Sequence, residues 1–132
     1  MQAMEFKVRS KTTLKDGSAV SDDGKLIVSE MVNDGTHDTP LKLLSLSLAS
    51  CETIMFNMIA EKIGVKPKKL EVDVEMEFQV GYGLRRAIVT YKVEGLDETT
   101  ANRIVEMVKR NCPVYRTLAR TGAIIEDKIV TT

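Results

Sequence analysis

The sequence predicts an α+β fold, with a mainly antiparallel sheet around one long buried helix, in the order β-β-β-α-β-β-α-α-β. Three observations carry this. Residues 38–64 read as a helix that is apolar nearly all round, which is the mark of a buried one. Before and after it lie runs that alternate apolar and polar residues and are joined by Gly-containing turns, as hairpins are. The remaining helical patterns sit together near the C-terminal end and do not alternate with strands.

Taken in order, Met4, Phe6 and Val8 alternate with Glu5, Lys7 and Arg9, the period of a half-buried strand. Lys15-Asp16-Gly17-Ser18 is a turn, and Asp-Gly is a strong hairpin signal. A short strand at 19–21, a turn at Asp22-Asp23-Gly24 and a strand at 25–32 follow, the last with Leu26 and Val28 facing inward. A polar loop at 33–37 leads into the central helix. Asp38 or Thr39 caps it, Pro40 suits its first turn, and Gly64 with Pro67 beyond ends it. Leu41, Leu44, Leu48, Ile54, Phe56 and Ile59 spread around its circumference, and between Thr39 and Glu52 the only charge is Lys42. The surrounding chain, or a second copy of it, must cover such a helix.

Leu70, Val72, Val74, Met76, Phe78 and Val80 then alternate with an acidic row that reads as a solvated sheet face. Gly81-Tyr82-Gly83 turns the chain, and Val89, Tyr91 and Val93 share one face of the returning strand, where Arg86 and Lys92 are placed to pair with the acids. Asp97 caps a helix whose Ala101, Ile104, Val105 and Val108 fall on one side. Pro113 ends it and starts a short helix that stops at Gly122, and 123–130 is a last strand. The expected organisation is one domain over 1–132: N-terminal strands 1–32, central helix 38–64, hairpin 69–93, and helix pair with last strand 97–132.

Composition narrows the function. The 132 residues suit one domain with a real core. Lys plus Arg and Asp plus Glu are both 19, so there is no basic surplus for nucleic acid or an acidic membrane. Aromatics at 5% do not make a base-stacking platform. No secretion signal is visible, and the apolar run 43–49 is too short to span a bilayer, so a cytoplasmic location is expected. One His and no Cys-x-x-Cys give no metal cluster, and no cofactor is expected.

Two cysteines in such a chain point to free or catalytic thiols. Cys51 lies well inside the central helix with Leu44, Leu48, Ile54, Met55 and Met58 on its face, and by these residues reads as a packed, inert thiol. Cys112 precedes Pro113 at the start of the next helix, where backbone N–H groups favour a thiolate and Arg116 is one turn on; by local physics it is the more acidic thiol.

Thr39-Pro40-Leu41-Lys42-Leu43-Leu44, Leu48-Ala49-Ser50-Cys51, Ala60-Glu61-Lys62-Ile63-Gly64 and Asn111-Cys112-Pro113-Val114 resemble the OsmC/Ohr superfamily (osmotically inducible protein C and organic hydroperoxide resistance proteins). The resemblance covers nearly the whole chain. It implies an intertwined homodimer with the two long helices at its centre. It also implies a thiol peroxidase: Cys51 the peroxidatic thiol, Cys112 the resolving one, an organic hydroperoxide the substrate and a dithiol the reductant. This reverses the ranking of the thiols by local physics. Two positions depart from the family. Leu41 stands where active members carry Glu, and the first hairpin offers Lys15 in place of an Arg, with Arg9 on the strand before it. His37, Glu52, Lys15 and Arg116 are the candidate supporting residues. The departures keep two further readings open: a binding module holding a small apolar or thiol-bearing ligand in the dimer pocket, and a structural dimer with two packed thiols.

Overall fold

The computed structural model describes residues 5–29 and 38–132. Its elements are β1 (Thr12–Lys15), β2 (Ser18–Ser21), β3 (Ile27–Val28), α1 (Pro40–Lys62), β4 (Lys69–Gln79), β5 (Gly83–Glu94), α2 (Glu98–Asn111), α3 (Pro113–Ala119) and β6 (Ile124–Thr131). The α+β class and the element order are as the sequence predicts. The chain divides into two compact units between Leu43 and Leu44.

In the first unit β1, β2 and β3 form an antiparallel sheet in that order. Asp16 (φ 50°) and Gly17 (φ 80°) both take positive φ, as the hairpin turn matched to strand twist requires. The first strand is not where the alternation of residues 4–9 puts it. Lys15 pairs with Ser18 and Thr12 with Ser21, where β2 ends because Asp22 opens the next turn. Residues 5–10 therefore have no partner strand among the described residues, and Phe6 and Val8 are exposed. The third strand shrinks to two residues, with Leu26 outside it and exposed; residues 30–32 of the expected strand, like Met4, lie outside the described residues. Thr39 is the helix cap: its Oγ1 accepts from Lys42 N at 3.2 Å. Asp38 instead bridges Val28, its carbonyl accepting from Ser29 N at 2.9 Å.

In the second unit β5 lies between β4 and β6. β4 pairs antiparallel with it, whereas β6 pairs parallel, because the path from β5 through α2 and α3 is a crossover. Ala87, Val89, Tyr91 and Val93 form the buried face of β5. Val89, Tyr91 and Val93 pack with Leu48, Phe56, Ile59 and Ala60 of α1 and with Ala101, Ile104, Val105 and Val108 of α2. The Phe56 and Tyr91 rings sit 6.0 Å apart. Each large side chain so buried contributes about 2 kcal/mol. Arg86 does not pair with the acids of β4. It meets Glu126 of β6 at 2.6 Å, since β6 occupies the other edge of its strand.

Helix α1 ends where Gly64 (φ 82°) turns left-handed, with Val65 N donating to the Ala60 carbonyl at 2.9 Å and Gly64 N to that of Glu61 at 3.1 Å. Its burial is one-sided within the chain: Leu46, Ile54 and Met58 are exposed. The short run 43–49 understates it, for the helix has 23 residues and is long and apolar enough to cross a membrane. Leu48, Glu52, Phe56, Ile59 and Ala60 are buried inside the protein, so one side of the helix belongs to the core. α2 starts as expected, Asp97 accepting from Thr100 N at 2.8 Å.

Gly95 (φ +93°) closes the turn after β5, and a Cβ there would lie 2.9 Å from both Cβ and backbone N of Lys68. Gly81 (φ +81°) faces open space. Alanine at Gly81 is expected to cost about 1 kcal/mol from backbone strain alone, and at Gly95 about 2 to 3 kcal/mol because Lys68 must also shift. Denaturant melts of the two variants check this; equal losses would mean that the Lys68 segment yields freely.

Candidate active site

The junction of α2 and α3 fixes Cys112. Pro113 pushes the residue before it out of the helical region, and Cys112 is extended (φ −72°, ψ 113°). It thus ends α2, its N–H donating to the Val108 carbonyl at 2.8 Å, and caps α3, its Sγ accepting from Tyr115 N at 3.4 Å. Cys112 is fully buried. From α1, Cys51 reaches the same point half-buried, and the two sulfurs lie 2.7 Å apart, Cys112 donating to Cys51. Both are free thiols. The structure therefore brings together residues 61 positions apart in the chain.

The helix cap does not make Cys112 an acidic thiol. Burial pushes the Cys112 thiol up to about 12, helped by its bond to Cys51, and the single long bond from Tyr115 N offsets only part of this. Arg116 does not assist, for its guanidinium donates to the Arg110 carbonyl at 3.1 Å. Ile54 and Met58, expected around Cys51, are instead exposed.

Glu52, one of the candidate supporting residues, is fully buried, although a charged residue on a helix is ordinarily found on its solvent side. The Tyr91 hydroxyl donates to its Oε2, while its Oε1 has no partner among the described residues. Burial raises the Glu52 carboxyl to about 7; the Tyr91 hydrogen bond lowers it, the Asp127 charge raises it and Lys109 lowers it. Lys109 Nζ is 3.0 Å from Asp127 Oδ2. The Tyr91 phenol is raised by its own burial and by the Glu52 charge. Tyr91 was legible only as an inward strand position. A signal for Glu52 did exist: Leu48 and Phe56, four residues before and after it, are both core residues. Lys15 is exposed at the end of β1 in the first unit, and His37 lies outside the described residues. No cluster of three metal-ligating side chains occurs among the described residues.

The family model for OsmC-like protein matches residues 33–126. The chain belongs to the OsmC-like family. Its fold is similar to that of the OsmC-like protein from Mycoplasma pneumoniae (22% identity, 98% of this chain and 99% of that one, TM-score 0.86). It is also similar to an organic hydroperoxide resistance protein OsmC from Legionella pneumophila (14%, 98% and 99%, TM-score 0.71). A third similar structure is the organic hydroperoxide resistance protein OhrB of Bacillus subtilis (16%, 96% and 98%, TM-score 0.70). No curated protein matches it in sequence.

In this OsmC-like chain an apolar groove of about 670 Å³ lies between α1 and α2, and neither cysteine lines it. Met55, Ile59, Ile63 and Met107 line it, with Lys62 and Arg110. The site thus holds a dithiol in contact and a buried carboxyl. The carboxyl carries a pH dependence. Because burial raises Glu52 from an unfolded value near 4.5 to about 7, its contribution to stability is whole below about 4.5 and is lost as pH rises towards 7. The loss is about 3 kcal/mol. Glu52→Gln is expected to remove this slope, so the variant gains on the wild type between pH 5 and pH 8 in denaturant melts of reduced protein. Parallel curves for the two proteins would exclude a titrating Glu52.

Proposed function

We propose that this OsmC-like protein is a cysteine-based thiol peroxidase that reduces organic hydroperoxides in oxidative-stress defence. One observation carries the reading, the 2.7 Å approach of a half-buried Cys51 to a buried Cys112. In this reading the Cys51 thiolate takes the terminal peroxide oxygen and releases an alcohol, becoming a sulfenic acid. Cys112 then displaces that oxygen as water and closes a disulfide. An external dithiol opens it by exchange. The exposure difference suits the roles, since the thiol that meets substrate must be reached and the other need only meet its partner. The names of the Legionella and Bacillus structures, both organic hydroperoxide resistance proteins, point the same way.

A second reading rests on Leu41, which stands where active members carry Glu, and on the groove. In it the protein holds a small apolar or thiol-bearing ligand beside Cys51 with little turnover. A rise in melting temperature with an apolar ligand, in protein inert to hydroperoxide, would select it.

We also infer a cytoplasmic homodimer joined through α1, without nucleic-acid or membrane partners. Leu46, Ile54 and Met58 form an exposed apolar side on α1, and Leu14 in β1 is exposed as well. Ile54→Glu is expected to shift the sedimentation coefficient from that of a dimer to that of a monomer; a wild type that sediments as a monomer would remove the dimer.

Reduced protein given one equivalent of cumene hydroperoxide is expected to lose both thiols and yield a Cys51–Cys112 disulfide on peptide mapping. Cys51→Ser abolishes peroxide reduction. Cys112→Ser completes one turnover and accumulates a sulfenic acid at Cys51, trapped by a dimedone probe. Equal multi-turnover rates for Cys112→Ser and wild type would sink the two-cysteine mechanism.

A further inference from the structure

We propose that Glu52 is the proton acceptor for Cys112 when the Cys51–Cys112 disulfide closes, with the Tyr91 hydroxyl holding the carboxylate in place. The place of this step in turnover rests on the peroxidase reading above, whereas the closure itself is a property of the dithiol.

Four observations converge on it. Cys112 is fully buried, so bulk water does not reach its proton. Its neutral form is strongly favoured, while attack on a sulfur requires the thiolate. In the reduced protein the Cys112 S–H donates to Cys51 Sγ, and this acceptor is lost once that sulfur carries oxygen or a second sulfur. Glu52, the residue after Cys51, is fully buried, with Oε2 taken by Tyr91, which shares the core with Cys112, and Oε1 left without a partner among the described residues. A buried acceptor with a free oxygen is costly to keep unless it is used.

The remaining charged and titratable groups around Glu52 do not substitute for it. Asp127 on β6 also has an unpartnered oxygen, Oδ1, among the described residues, but its Oδ2 is held by the Lys109 ammonium of α2; Tyr115 on α3 and Tyr91 on β5 are phenols raised by burial, and the acids of β4 alternate outward. Among the described residues that face this site, Glu52 is the carboxyl that burial raises to about 7.

The step balances. The Cys112 sulfur forms a bond to the Cys51 sulfur, and the Cys51 S–O bond breaks with its electron pair on oxygen. The Cys112 proton passes to Glu52 Oε1 and then to the departing hydroxide, which leaves as water. The hydroperoxide has already supplied the oxidation of Cys51. With an aryl disulfide on Cys51 in place of the sulfenic acid, the same attack expels an arylthiolate.

That substitution provides a test free of peroxide. Reduced protein is mixed with 5,5′-dithiobis(2-nitrobenzoate) in stopped flow. Attack by Cys51 releases one equivalent of thionitrobenzoate, and closure by Cys112 releases the second. In the wild type the second phase is expected to rise with a midpoint near pH 7 and then level off. Glu52→Gln is expected to slow it about 100-fold at pH 7.5 and to leave a rate that climbs with hydroxide. Tyr91→Phe removes the bond that favours the carboxylate, so the midpoint moves upward, a shift that a merely structural role does not produce. A Glu52→Gln second phase with the rate and pH profile of the wild type would overturn the assignment. So would an unmoved midpoint in Tyr91→Phe, which keeps the test alive should Glu52→Gln fail to fold. Inertness of the wild type to hydroperoxide would remove the peroxidase reading and leave this result standing.

Discussion

The rotation of α1 about its own axis decides most of what this chain presents. Leu48, Glu52, Phe56 and Ile59 point into the core, where Phe56 lies against Tyr91. With that face fixed, Cys51 falls one step round the helix, at the edge of the core, and Ile54 and Met58 fall outside it. A turn of the helix by one residue, about 100°, would bury Cys51 and expel Glu52. The packing of large apolar groups holds it where it is, since each contributes about 2 kcal/mol and all would have to move together.

The same packing carries a charge into the core. A carboxyl pushed up to about 7 shows that burial outweighs the Tyr91 hydrogen bond and the nearby Lys109. The protein thereby gives up stability near neutral pH at the place where the sulfurs meet. Strain of this kind is usual where chemistry needs a group that is neither firmly acid nor firmly base. The family pattern puts a Glu at the helix start, where this chain has Leu41; here the buried carboxyl sits beside the cysteine.

Much of the fold was legible. The core positions of β5 and α2 follow from periods of two and 3.6 residues, because each element buries one face of its own accord. The cap at Asp97 and the stop at Gly64 are local and appear as read. The first strand was misplaced because alternation marks a strand's faces, whereas pairing depends on where the neighbouring strand ends. The parallel pairing of β6 was likewise a matter of the path through α2 and α3.

The sequence by itself determined the elements, the caps and the two thiols with their motifs, because these depend on residues a few positions apart. Only the tertiary structure decided which groups meet. Cys112 reads as an acidic thiol from its helix cap, yet full burial pushes its thiol up, since desolvation depends on every element that covers a group. Glu52 was a candidate supporting residue from its place beside Cys51, but its burial and its bond from Tyr91 of β5 are set by the fold. The contact of Cys51 with Cys112 joins residues 61 apart, a separation at which local preference has no say and the packing of helices on the sheet has all of it.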